Sequence, residues 1–133
     1  MYRCQATSLA GFIQQLAVAY VAHGYWFYVR GWIPAEKDPE AVDRKLLDRY
    51  GIDISKWERA RRKRAGLGNL HYMRYGRTFV LIATHGRHGF FEAEAKVIRD
   101  IRRAPLKLGG YSVSYRNGHA SVRIDRETYA RLK

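Results

Sequence analysis

Two histidines, two glutamates and a tyrosine have the types and spacing that suggest chemistry first. His85 and His88 flank Gly86-Arg87 directly after an apolar run, and Glu92 and Glu94 follow closely. Imidazole nitrogens and carboxylate oxygens together suit a divalent ion such as Mg or Mn, which activates water against a phosphodiester. His85, His88 and Glu92 are the candidate metal ligands, and His85, His88 and Tyr129 the candidate catalytic groups. A plain loop is the simpler expectation for the same segment, because its two glycines mark irregular backbone in which polar residues are ordinary.

A larger chemical signal is cationic. The 133 residues carry 25 Lys+Arg against 12 Asp+Glu, a formal net charge of +13. Such an excess repels itself unless an anionic partner neutralises it. The charge is clustered. Residues 56–77 hold eight basic side chains and one acidic, and residues 96–107 hold five and one. By contrast, residues 34–55 carry four basic and six acidic. Arginine outnumbers lysine 18 to 7, and its planar fork suits phosphate and guanine. The candidate nucleic-acid contacts are Lys56, Arg59, Arg61, Arg62, Lys63, Arg64, Arg74, Arg77, Arg102 and Arg103.

A third candidate surface is aromatic. In the run Tyr25 to Ile33, strand alternation places Trp26, Tyr28, Arg30 and Trp32 on one face. An open face of this kind stacks unpaired bases; a covered one is ordinary core.

The elements that position these groups follow from periodicity. Leu9, Phe12, Ile13, Leu16 and Tyr20 predict an amphipathic helix over 8–22, ended by Gly24. A strand over 25–33 closes at Pro34. Asp38-Pro39 opens a second helix with an apolar side of Val42, Leu46, Leu47 and Tyr50, and Gly51 ends it. Ser55-Lys56-Trp57-Glu58 has the capping-box pattern and starts a third helix through Arg64. Its inward side is expected to be Trp57, Ala60 and Arg64, with Arg59, Arg62 and Lys63 in water. The pair at 39–65 has a helix-turn-helix arrangement. Strands over 69–75 and 77–85, a helix over 91–103, a hairpin of 107–116 with 119–125 through Asn117-Gly118, and a short helix over 126–133 complete the chain.

The expectation is a single α+β domain in the order α-β-α-α-β-β-α-β-β-α, with a mixed or antiparallel sheet of about five strands covered by helices. At 47% hydrophobic residues the chain has enough apolar matter for a core and is unlike a disordered one. The single cysteine, Cys4, excludes an internal disulfide and cysteine-rich zinc modules and points to a reducing, cytoplasmic setting. No apolar run is long enough for a membrane span.

The function expected is nucleic-acid binding, DNA slightly preferred over RNA because of the helix pair. One alternative is a metal-dependent endonuclease or single-strand nicking enzyme. Nicking chemistry pairs two histidines one hydrophobic residue apart with a tyrosine nucleophile; here two residues separate the histidines. A further alternative is a basic protein-interaction subunit of a nucleoprotein complex. No cofactor is expected beyond Mg or Mn if the chain is a nuclease.

Overall fold

Ser8 starts the first helix by accepting a hydrogen bond at Oγ from the Gly11 amide, 3.1 Å away. The helix α1 (Leu9–Gln15) then widens to a π turn over Leu16–Tyr20 and tightens to a 3₁₀ turn over Val21–His23. Phe12, Ile13, Leu16, Ala17 and Val21 are buried along it, so the amphipathic stripe is as periodicity predicts. The structure, a computed structural model, describes residues 4–124; the expected helix at 126–133 and Tyr129 lie outside them.

The central sheet has four antiparallel strands in the order β2-β3-β1-β4, formed by β1 (Tyr25–Trp32), β2 (Leu70–Tyr75), β3 (Thr78–Thr84) and β4 (Arg99–Asp100). Gln5 bridges Arg74 in parallel, which extends the sheet beyond β2. A second antiparallel sheet, β5 (Leu106–Leu108), β6 (Tyr111–Arg116) and β7 (His119–Ile124), contains the expected hairpin through Asn117-Gly118, but the strand expected over 107–116 is broken at Gly109-Gly110, both at positive φ, into two paired strands. The apolar residues therefore divide between two cores. One face of the central sheet, with Tyr28, Met73, Val80 and Ile82, packs on α1 and the second sheet. The other, with Val29, Leu70, Tyr72, Leu81 and Ala83, packs on α2 (Pro39–Tyr50) and on Phe90 of the short helix α4 (Gly89–Ala93). The class is α+β, as expected, but two sheets replace the one of about five strands.

The helix expected over 91–103 is not formed. α4 ends at Ala93, a turn follows, and Arg99–Asp100 pair with β1 at Tyr28 and Phe27. Ile98 and Ile101 have the three-residue spacing of a helix face, yet Ile98 packs in one core and Ile101 in the other. An extended segment crossing the sheet edge reaches both cores, which one face of a helix does not. Asp100 then accepts from the Arg102 amide at 2.9 Å and ends the strand in a turn.

The third helix, α3 (Lys56–Arg64), starts as the capping box predicts, with Ser55 Oγ accepting from the Glu58 amide at 3.1 Å. Lys63 is exposed as expected, but the rest of the facing is reversed. Trp57 is 68% exposed, Ala60 and Arg64 are exposed, and Arg59 and Arg62 turn inward. Arg59 donates to the carbonyls of Leu70 (3.0 Å) and Ile52 (2.6 Å), and Arg62 to that of Gly68 (2.8 Å). Asn69 Nδ2 returns a bond to the Arg59 carbonyl at 3.0 Å. No α3 side chain is fully buried. The helix is held by guanidinium groups that satisfy loop and strand-end carbonyls, which would otherwise lose their hydrogen bonds on burial.

Candidate functional site

Strand β4 covers β1 only at Phe27 and Tyr28. Past that point the edge of β1 opens, and β5 of the second sheet crosses the gap. The result is a cleft of about 560 Å³ lined by Tyr28 and Arg30 of β1, Lys96, Val97 and Ile98 of the turn, Arg99 of β4, and Leu106 and Lys107 of β5. Four of these eight residues are cations and none is a carboxylate. Arg30 also donates to the Lys107 carbonyl, which ties the two sheets together at the cleft. Tyr28 forms the floor. Its hydroxyl donates to the Ala104 carbonyl at 2.9 Å, and burial raises its pKa while Arg99 and Arg30 oppose the rise. The nearby carboxylate, Asp100, is engaged elsewhere: it pairs with Arg102 at 2.8 Å, and that hydrogen bonding holds its pKa below the usual range. Concentrated positive charge facing solvent is an arrangement that attracts a polyanion.

Of the residues singled out in the sequence, Tyr28 and Arg30 lie in this cleft. Lys96, Arg99 and Lys107 were marked only as part of the basic run 96–107. Charge counting found the run, but the meeting of its side chains with Arg30 depends on the β1–β4 pairing and on β5. The others are dispersed. Arg74 is buried at 4% exposure and paired with Asp43 at 2.8 Å, so it is a core cation rather than a phosphate contact. Arg77 donates to the carbonyls of Pro34 (2.6 Å) and Lys37 (3.0 Å). Arg102 lies over the Trp26 ring, 4.4 Å from its centre, besides its bond to Asp100. Arg61 pairs with Glu58 and lies over Trp57. Lys56, Lys63, Arg64 and Arg103 are exposed.

Nor is the aromatic face an open platform. Trp26 packs in the core, donates to the Val21 carbonyl at 3.1 Å and lies 5.0 Å from the Tyr115 ring; Tyr28 is buried. A bulge between Tyr25 and Phe27 shifts the register, and Tyr25 joins Trp26 in the same core. Only Trp32, at the strand end, is open, at 66% exposure. It walls a second cleft of about 390 Å³ against α2, together with Phe79, Leu46, Lys37, Lys45 and Arg49. Sequence reading missed this site because its cations lie in the acidic segment 34–55.

In the histidine segment, His88 has a structural role. His88 caps α4: its Nδ1 accepts from the Phe90 amide at 3.0 Å, which leaves Nε2 to donate to the Tyr50 carbonyl, 3.1 Å away. Both ring nitrogens are thus occupied in the neutral form, and burial followed by the Arg62 charge lowers the pKa. Glu94 accepts from the Tyr50 hydroxyl at 2.9 Å. His85 and Glu92 are exposed. Among the described residues no three His, Cys, Asp or Glu side chains come together as a metal site, so the expected set of His85, His88 and Glu92 is not assembled. Gly86 explains the loop's path. It has φ +139°, and a Cβ there would lie 2.6 Å from the Gly68 nitrogen, so only glycine lets the loop pack on the 66–68 backbone.

A large titration effect falls on His71. Its ring stacks on Tyr20 at 4.4 Å and tilts against Tyr25 at 5.2 Å. Burial first, then the Arg59 charge, lowers its pKa from 6.5 to about 3. Folding therefore requires the neutral ring, while the unfolded chain takes up a proton near pH 6.5. Stability is unaffected by this group above that pH and falls as pH drops toward 3. By linkage the total loss is on the order of 5 kcal/mol. Urea unfolding between pH 7 and 4 should show the decline, and His71→Phe should flatten it. An unchanged slope in the variant would assign the pH dependence to other groups.

Among the described residues no helix is long and apolar enough to cross a membrane. No family model, curated protein or solved structure matches the chain.

Proposed function

We propose that this chain binds nucleic acid, with the phosphate backbone held in the cleft of Arg30, Lys96, Arg99 and Lys107. The observation that carries this reading is the convergence of Arg30, Lys96, Arg99 and Lys107 on one open cleft, with no carboxylate among the described residues that line it. Neutralising a phosphate releases condensed counter-ions, so the affinity of such a site is governed by salt. The exposed Lys63 and Arg64 of α3 add to the positive surface. With Arg59 and Arg62 bonded inward, however, the helix pair has fewer cations to present to a duplex groove. The cleft, rather than α3, is therefore the principal contact.

The test is a titration of labelled DNA and RNA oligonucleotides over a range of NaCl concentrations. Four phosphate contacts imply a slope of log affinity against log salt of about −3 to −4. A flat dependence, or no binding to either nucleic acid at low salt, would overturn the proposal.

A further inference from the structure

We infer that the open edge of β1 accepts an extended acidic peptide as an added strand, and that this peptide shuts nucleic acid out of the cleft beside it. The exclusion rests on the nucleic-acid reading above; the docking of the peptide does not. β4 pairs with β1 at Phe27 and Tyr28 alone, whereas β3 pairs with it as far as Trp32. Among the described residues no strand therefore lies beside Arg30, Gly31 and Trp32 on the β4 side. Two hydrogen bonds fix which main-chain groups face that gap. The Trp26 carbonyl accepts from the Ile101 amide at 2.7 Å, on the β4 side, and the Ile33 amide donates to the Arg77 carbonyl at 2.7 Å, on the β3 side. Main-chain groups alternate sides along a strand. Arg30 and Trp32 thus turn their amides and carbonyls to the open side, and Val29 and Gly31 turn theirs to β3. An edge of unpaired donors and acceptors is a template for another strand.

Charge decides which strand. Arg30, Lys96, Arg99 and Lys107 line the cleft of about 560 Å³ at this edge. A second copy of this chain would bring the same four charges to the seam and be repelled, whereas a strand with carboxylates is attracted. The facing of the sheet sets the spacing, because side chains of paired residues share a face. Arg30 lies on the face of Tyr28, toward the second sheet, and Val29 on the face that packs on α2. Residues of the added strand opposite Arg30 and Trp32 therefore project to the cleft side and meet its cations. Those opposite Val29 and Gly31 project to the α2 side. There a Cβ on Gly31 would collide with the Phe79 ring, so glycine lets that half-buried ring lie over β1 as an apolar surface beside the edge. The strand that fits alternates acidic and apolar residues. Its carboxylates occupy the cations that a phosphate would use, so peptide and nucleic acid exclude each other.

The test measures fluorescence anisotropy with a labelled peptide of alternating Glu and Val, the same peptide with every amide N-methylated, and a peptide of alternating Lys and Val. The Glu-Val peptide should bind and the Lys-Val peptide should not. The methylated peptide keeps its charge but loses its main-chain donors, so it should bind about tenfold more weakly or worse. Lys96→Glu with Arg99→Glu should reverse the preference between Glu and Lys. Hydrogen exchange should slow at the Arg30 and Trp32 amides on binding and stay unchanged at Val29 and Gly31, which face β3. Saturating peptide should release a labelled oligonucleotide. Equal binding of the methylated peptide, or unchanged exchange at Arg30 and Trp32, would reduce the contact to bulk charge and overturn the inference. Protection of those two amides by rising protein concentration alone would put a second copy at the edge in the peptide's place. A bound peptide that left the oligonucleotide in position would remove the exclusion. If the oligonucleotide bound and the peptide did not, the inference would fall and the nucleic-acid reading stand. If the peptide bound and no oligonucleotide did, the nucleic-acid reading and the exclusion would fall and the docking stand.

Discussion

Reversing two charges in the cleft, Lys96→Glu with Arg99→Glu, is expected to lower nucleic-acid affinity by about a hundredfold or more. Each charge-assisted contact is worth about 1.5–3 kcal/mol, and two together reach or exceed the roughly 3 kcal/mol that a hundredfold requires. Reversal also adds repulsion in a cleft whose described lining holds no carboxylate. Both side chains are exposed, so the fold should tolerate the change. Arg30 is a poorer choice because it also bonds the Lys107 carbonyl. Removing two phosphate contacts should reduce the magnitude of the salt slope by about 1.4 for a single strand. The matching control reverses Lys56 and Lys63 on α3. If the α3 variant lost more affinity than the cleft variant, the helix pair would be the principal contact and the cleft assignment would be wrong.

Asp43→Ala is expected to destabilise the protein by about 3–5 kcal/mol, because it strands a buried arginine. Asp43 is buried on α2, with Arg74 Nε at 2.8 Å and the Tyr72 hydroxyl at 2.6 Å. Arg74 also donates to the Gly76 carbonyl at 2.7 Å. The thiol of Cys4 belongs to the same group: burial, then the Asp43 carboxylate, pushes its pKa up to about 12. This thiol is therefore an unreactive core group at neutral pH. The ion pair joins α2 to β2, and through the Cys4–Ala6 segment, whose backbone bonds to Arg74, it secures the sheet edge. A typical domain has about 5–15 kcal/mol of stability in all, so the variant should melt far below the parent. Replacing both partners with apolar residues, Asp43→Leu with Arg74→Met, should recover much of the loss, since the unpaired charge is then absent. A small effect of Asp43→Ala on the urea midpoint would show that water reaches Arg74.

The same pair illustrates what sequence pattern misses. The inward side of α2 was legible as apolar at Val42, Leu46, Leu47 and Tyr50, yet its most buried members are Asp43 and Tyr50. A carboxylate at an inward position resembles a break in the stripe until its partner, 31 residues away, is brought to it. On α3 the same logic turned Trp57 outward and Arg59 and Arg62 inward. Apolar periodicity assigned Trp57 inward, but the neighbouring carbonyls of Ile52, Gly68 and Leu70 needed donors, and Arg59 and Arg62 supply them. Hydrophobic pattern is blind to such demand, because the acceptors are backbone atoms present in every residue.

The sequence by itself determined the α+β class, α1 and its buried stripe, the caps at Ser8, Asp38 and Ser55, the hairpin through Asn117-Gly118, and the excess charge with its clustering. These are local properties, set by side chains within a few residues of one another. Only the tertiary structure decided that residues 99–100 form a strand, that His88 is a cap, and that Arg74 belongs to the core. It also decided that Arg30 shares a cleft with Lys96, Arg99 and Lys107. Each of those outcomes depends on contacts between segments far apart in the chain. In each, a polar group's role is set by the partner or the open space that folding places beside it.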